Sequence, residues 1–240
     1  LNLIPYNISM KIIYRISDVG YNKVKPDYIN NETCLKNFCN VFFNHIHDIL
    51  IIADNCSNAT IDMINKYIDP INIHKVSVGH GAGTFNLALD MALKGNDDDI
   101  VYFVENDYLH KLYADKIIQE GFDLGASFVS LYDHPDKYLD PLRGGNPYCE
   151  GGAEDTRVYL SKSSHWKITN STTMTFASKV STLRRVEPTL RKWTTGSYPD
   201  DFKMFLELRE QNELLITSIP GYSTHGETAW LAPLTNWSNI

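Results

Sequence analysis

Four short apolar runs, residues 11–16, 48–53, 73–78 and 100–104, each break off at a polar or glycine-rich stretch, with segments of helical spacing between them. Runs this short and this rich in Ile, Val and aromatic residues read as buried strands. The intervening helices are expected over 31–43, with Leu35, Phe38, Cys39 and Phe42 on one face, over 59–68, and over 84–94, with Leu87, Ala88, Met91 and Ala92 inward. A chain that alternates strand and helix in this way points to an α/β fold, a mostly parallel central sheet flanked by helices. Ligands of such sheets collect at the carboxyl ends of the strands. Asp18, Asp54, the loop 79–83 and the acidic pair closing the fourth run would all lie along that one edge.

The second half is less regular. Helices are expected over 110–122, 175–185 and 200–211, strands over 126–132 and 214–219, and a hairpin from 158–160 and 165–168. The long stretch 133–155, rich in Asp, Pro and Gly, reads as a binding loop or lid. With 240 residues the chain fits a single domain, 1–110 forming one half and 111–240 the other.

A net charge of −7 argues against nucleic acid as the main partner, and no apolar run approaches the length of a membrane span. Cys34, Cys39, Cys56 and Cys149 form no C-x-x-C pair and no zinc pattern, and residues 1–6 lack the marks of a signal peptide. Both point to a cytosolic setting with reduced thiols, a leader lost by trimming staying open. The six N-x-S/T matches are then chance matches in an Asn-rich chain.

The fourth run ends in Glu105-Asn106-Asp107. Alternation along an extended chain would put both carboxylates on one side. Two hard oxygen donors there suit Mg²⁺ or Mn²⁺, although a strand end breaking into a polar turn reads the same way. Asp54 closes the second run, where it fits either a nucleobase or ribose contact or a turn and cap. The loop from Gly79 through His80 to Gly83, just ahead of Asn86, can bring backbone close to a phosphate at a helix start. It is neither a Walker loop nor a dinucleotide fingerprint. Arg15, Lys23 and Lys25 could neutralise a diphosphate, or be solvated. His225 fits a structural histidine or, returning to the acidic pair, a further metal ligand. Asp200 and Asp201 open a helix, where Asp is favoured as a cap; the functional alternative is a general base.

Strand-Asp54, strand-Gly loop-helix, strand-Glu105-Asn106-Asp107 and a downstream Asp pair resemble, in that order, the GT-A glycosyltransferases, the acidic pair looking like a D-x-D motif with Glu first. Arg15 to Asp18, 104–110 and 223–227 resemble the small capsid glycosyltransferase domains of large DNA viruses such as chloroviruses. The resemblance covers nearly the whole chain. It implies a GT-A (Rossmann-like) fold, with 1–110 binding a UDP-sugar and 111–240 the acceptor, a hydroxyl of a glycan or glycoprotein. It also implies host cytoplasm as the location, if the chain is viral. Asp54 would then contact uracil or ribose, with Arg15, Ser17, Asp18, Lys25, His80, Gly83, Asn86 and Asn106 around the nucleotide. Asp107, Glu105 and His225 would hold Mn²⁺ (or Mg²⁺), and Asp201, or else Asp200, would act as base in an inverting transfer. Thr172 and Thr173 would line the sugar pocket, and Trp166, Trp193 and Tyr198 could stack on sugars. A sugar nucleotidyltransferase, or a non-catalytic nucleotide- or glycan-binding module, is the alternative.

Overall fold

The computed structural model describes residues 10–20 and 23–240. The elements in chain order are β1 Met10–Ser17, α1 Asn31–Val41, β2 Ile49–Asp54, α2 Asn58–Ile64, β3 Ile73–Val76, α3 Gly81–Ala92, β4 Ile100–Glu105, β5 Tyr108–His110 and α4 Ala114–Asp123. There follow β6 Phe128–Ser130, β7 Val158–Leu160, β8 His165–Ile168, β9 Phe176–Lys179, α5 Val180–Lys192, α6 Asp201–Glu210, β10 Leu215–Ile219 and β11 Ser223–His225.

Among the described residues the main sheet holds nine strands in the order β3-β2-β1-β4-β9-β6-β10-β8-β7. β3, β2, β1 and β4 are parallel neighbours. Beyond them β9 runs antiparallel between β4 and β6, β10 returns to the common direction beside β6, and β8 runs against β10 and β7. The mostly parallel sheet read from the sequence is present, and only β9 and β8 oppose its direction.

Alternation along the strands divides two cores. Ile12, Tyr14, Ile16, Tyr102 and Val104 pack with Phe38 and Phe42 of the α1 side, while Ile13, Val101 and Phe103 pack with Phe85 of α3 and Leu183 of α5. Both faces of β1 and β4 are covered, which is why these strands read as continuous apolar runs.

Three expectations need correcting. The helix expected over 175–185 is a strand followed by a helix. Phe176, Ala177 and Ser178 are buried between β4 and β6, so sheet pairing overrides the local helical pattern. The helix expected over 110–122 starts only at Ala114, because Tyr108–His110 pairs with β11 in a second, two-stranded sheet. The stretch 133–155 is no loose lid. Its Lys137, fully buried, bonds Asp136 and Ser171, Lys167 pairs with Asp133 and Glu154, and the amides of Asn146 and Asn170 bond each other.

The sheet is continuous across the expected halves, since β9 from the second lies against β4 of the first. No described helix is long and apolar enough to cross a membrane. Of the N-x-S/T asparagines, Asn170 is buried and bonded, and Asn7 lies outside the described residues.

Candidate active site

Because β1, β2, β3 and β4 run parallel, Ser17, Asp54, Val76 and Glu105 end on one edge of the sheet. A cleft of about 330 Å³ opens there, with Arg15, Ser17, Asp18, Lys23, Lys25, Asp54, His80, Glu105, Asn106 and Asp107 on its walls. Thr84, Asn31 and the backbone of Gly79 and Gly81 also line it.

Asp54 builds the far wall. Its carboxylate accepts from Val78 N (2.6 Å), Gly79 N (2.9 Å) and Asn55 Nδ2 (3.1 Å), which pins the loop after β3. His80 caps α3, its Nδ1 accepting from Gly83 N at 3.0 Å. A Cβ on Gly83 would stand 2.4 Å from Val78 Cγ1, so this turn admits only glycine without rearrangement. Gly83 and Asn86, expected at the nucleotide, seat α3 instead. Asn86 bonds Ala82, Thr194 and Arg191, and neither residue lines the cleft. Asp18 stands at the exposed rim and accepts from Ser57 N and Thr60 Oγ1. Burial pushes its carboxyl up, and these hydrogen bonds together more than reverse that, leaving it below the usual carboxylate range.

Arg15 and Glu105 are register partners on neighbouring parallel strands, and alternation puts both on the α3 face. The guanidinium is 5% exposed. It donates to Glu105 Oε1 at 3.1 Å, Gly81 O at 3.1 Å and Met174 O at 3.2 Å, while its buried Nε has no partner among the described residues. The alternation expected to put Glu105 and Asp107 on one side is broken, because the strand stops at Glu105 and Asn106 and Asp107 form a turn. Asn106 Nδ2 donates to Asn31 Oδ1, and Asn31 Nδ2 donates to Ser17 O, which ties this turn to the start of α1 and the end of β1.

Asp107 has different company from Glu105. Its Oδ2 lies 3.0 Å from Lys25 Nζ and 3.3 Å from His225 Nε2. His225, 2% exposed, arrives from the other end of the chain because β11 pairs with β5 in a register that sets His225 opposite Tyr108. Gly226 permits the approach: a Cβ there would lie 2.7 Å from Asp107 O and 2.4 Å from Ile29 Cγ2. Lys23 Nζ is 3.1 Å from the same His225 Nε2, and Glu227 lies 4.0 Å from both Lys23 and His225.

These surroundings push the two carboxyls apart. Burial raises Glu105, Arg15 opposes it, and Asp107 adds to the rise, so Glu105 titrates above its ordinary value. Burial also acts on Asp107, but the hydrogen bond and charge of His225, with Lys25 and Lys23, outweigh it and hold Asp107 far below.

Asp107 Oδ2 and His225 Nε2 have the spacing of neighbouring ligands on one ion, since bonds of about 2.1 Å at right angles put two ligand atoms about 3 Å apart. An oxygen and an imidazole nitrogen suit Mn²⁺. The pair therefore fits a divalent ion, with the remaining positions left to phosphate and water oxygens. Among the described residues no group of three or more His, Cys, Asp or Glu gathers for a metal.

Asp200 and Asp201 differ sharply. Asp200 caps α6, accepting from Lys203 N at 3.1 Å and pairing with Lys203 Nζ at 2.8 Å. Burial raises its carboxyl, and the bonds and charge of Lys203 together bring it below the ordinary range. Asp201 Oδ2 accepts from Thr172 N (2.6 Å), Thr173 N (2.7 Å) and Thr172 Oγ1 (3.2 Å), while Oδ1 takes none of these bonds. The same loop continues to Met174, held by Arg15, and to Thr175 Oγ1, which accepts from Glu105 N. Tyr108 Oη donates to Thr172 O and Thr173 O. Asp201 is thus one short loop from the cleft. Trp166 is buried in the core and bonded to Ser161, and Trp193 donates to Glu207 between α5 and α6; neither lines the cleft. Tyr198 is 66% exposed.

No protein-family model matches the chain, and no curated protein matches it in sequence. Among solved structures, GalNAc-T7 with UDP, GalNAc and Mn²⁺ overlays with a TM-score of 0.57 at 11% identity, covering 93% of this chain and 45% of that one. The chain has the GT-A fold. S. aureus TarS overlays with a TM-score of 0.51 at 14% identity, over 90% of this chain and 36% of that one. This GT-A chain therefore spans under half the length of either structure. A CMP:2-keto-3-deoxy-manno-octonic acid synthetase complexed with CTP gives a TM-score of 0.49 at 11% identity, over 92% of this chain and 94% of that one, an overlay too distant to argue from.

Proposed function

We propose that the protein is a glycosyltransferase that moves a sugar from a UDP-sugar to a hydroxyl of a glycan or glycoprotein, with inversion. The observation that carries this reading is the meeting of Asp107 and His225, 3.3 Å apart, at the carboxyl edge of the sheet beside three cationic side chains. A divalent cation held by these two would act as Lewis acid on the diphosphate and stabilise the leaving UDP. GalNAc-T7, with UDP and Mn²⁺ bound on the same fold, supports that choice of donor and metal.

The nucleoside would lie against the wall made by Asp54 and the Gly79 loop, and Arg15 would hold that wall to the strands. Glu105 serves as the counter-ion of Arg15 and reaches a metal at most through water. Asp201 is the base in this reading. It takes the acceptor proton on Oδ1 while the acceptor oxygen bonds to the sugar C1 and the C1–O bond to UDP breaks, its electron pair leaving on the β-phosphate. Asp200, spent on its cap and on Lys203, is not the base. A nucleotidyltransferase would carry a Gly-rich basic loop after its first strand, which Ser17-Asp18-Val19-Gly20 lacks.

The test is calorimetric titration of UDP with Mn²⁺ and then with EDTA, on wild type and Asp107→Ala, followed by a screen of UDP-sugars for hydrolysis. Metal-dependent binding lost in the variant is expected. No binding of UDP under either condition would overturn the UDP-sugar assignment.

A further inference from the structure

The two atoms that suit a metal are each held by an ammonium group. Lys25 Nζ is 3.0 Å from Asp107 Oδ2, and Lys23 Nζ is 3.1 Å from His225 Nε2. In the neutral tautomer that receives Lys23, the lone pair of Nε2 is the one a metal would need. The same nitrogen lies 3.3 Å from Asp107 Oδ2, and one ring nitrogen cannot accept from Lys23 and donate to Asp107 together. The lysines therefore compete with a metal ion for these atoms, and a divalent cation entering alone would meet two like charges.

Resting on the nucleotide-sugar reading, we propose that Lys23 and Lys25 are a transferable counter-ion pair: an arriving diphosphate draws them off His225 and Asp107, and only then does the metal bind tightly. Three observations support the handover. The charged side chains on the cleft wall are three cations, Arg15, Lys23 and Lys25, against four carboxylates, Asp18, Asp54, Glu105 and Asp107. A diphosphate brings further negative charge into a cleft with no surplus cation, so a counter-ion must be imported with it. Arg15 cannot move to it, being buried and committed to Glu105, Gly81 and Met174. The lysines can: they sit on the segment between β1 and α1, their side chains are 24% and 31% exposed, and a flexible stem carries each charge. With Asp107 and His225 as its protein donors, the metal would depend on diphosphate oxygens for the rest of its shell.

Linkage makes the effect reciprocal: whatever factor UDP adds to metal affinity, metal adds to UDP affinity. The experiment is Mn²⁺ binding, read from loss of the free-ion paramagnetic resonance signal, with no ligand, with UDP and with inorganic pyrophosphate. In wild type, saturating UDP should tighten Mn²⁺ by at least about tenfold, and pyrophosphate should do so in part. The double variant Lys23→Gln/Lys25→Gln should bind Mn²⁺ alone about tenfold more tightly than wild type and lose most of the UDP enhancement. The Lys23→Arg/Lys25→Arg variant retains the charges and should keep the weak binding of metal alone, with thermal unfolding of all three proteins as the control for folding. Equal Mn²⁺ affinity with and without UDP in wild type, or an unchanged enhancement in the glutamine variant, overturns the handover while the nucleotide-sugar reading stands. Absence of any UDP or pyrophosphate binding overturns both.

Discussion

Arg15→Met removes the one guanidinium that joins β1 to β4, to the Gly81 turn and to the Met174 loop, and its cost can be worked from the contacts. The pair with Glu105 at 3.1 Å is worth about 5 kcal/mol as bare attraction at an effective dielectric of about 20. Glu105 is 26% exposed and Arg15 must be desolvated, so the net share falls to roughly 1–2 kcal/mol. Gly81 O and Met174 O each lose a charged donor in a partly buried setting, at about 1 kcal/mol apiece. The expected loss is therefore roughly 3–4 kcal/mol. Glu105→Gln retains an acceptor for Arg15 and relieves the burial of a charge, so it should cost less than about 1 kcal/mol. The double variant should show a coupling energy of about 1–2 kcal/mol, because each partner's value depends on the other. Urea unfolding of the four proteins, with unchanged slopes, gives the cycle. A loss below about 1 kcal/mol for Arg15→Met, or coupling under about 0.5 kcal/mol, would show that Arg15 is not the tie between strand edge and loops.

Asp201→Asn should lower transfer at least about 100-fold while UDP affinity stays within about twofold; steady-state kinetics beside calorimetry separate the two, and retained transfer would remove Asp201 as base. Asp200→Ala should instead cost about 1 kcal/mol of stability and leave transfer within a few-fold, as expected for a cap and against a catalytic role. In the anchored 133–155 stretch, burial raises Asp136, but the bond and charge of His134 and of Lys137 outweigh it and bring its carboxyl down from 3.8 to about 2. Its folded value being depressed, Asp136 contributes stability that is complete above about pH 4 and lost as pH falls toward 2, worth roughly 2 kcal/mol. Denaturation of wild type and Asp136→Asn across that window should show the difference shrinking with acidification, whereas a pH-independent difference would count against the ion pairs.

Much of the cleft edge was legible in the residues. Strands that end in Ser17, Asp54 and Glu105 mark their own carboxyl ends, and parallel pairing then brings those ends together. The role of each carboxylate was not legible. Asp54 and Asp18 spend their oxygens on backbone and hydroxyl donors from other segments, and Asn86 turns to Thr194, 108 positions away. Gly83 and Gly226 announce tight turns, but only their neighbours, Val78 in one case and Asp107 with Ile29 in the other, explain why no side chain fits. The strand at Phe176–Lys179 was unreadable because its pattern allows a helix and the decision lies with β4 and β6 on either side.

By itself the sequence determined the alternation of strand and helix, the covered parallel sheet and the edge where ligands collect, since hydrophobic periodicity is local information. Only the tertiary structure decided that Glu105 answers to Arg15 while Asp107 answers to Lys25 and His225. That division depends on a strand register, a turn after one residue and a β11–β5 pairing across more than a hundred positions, none of which a local pattern contains.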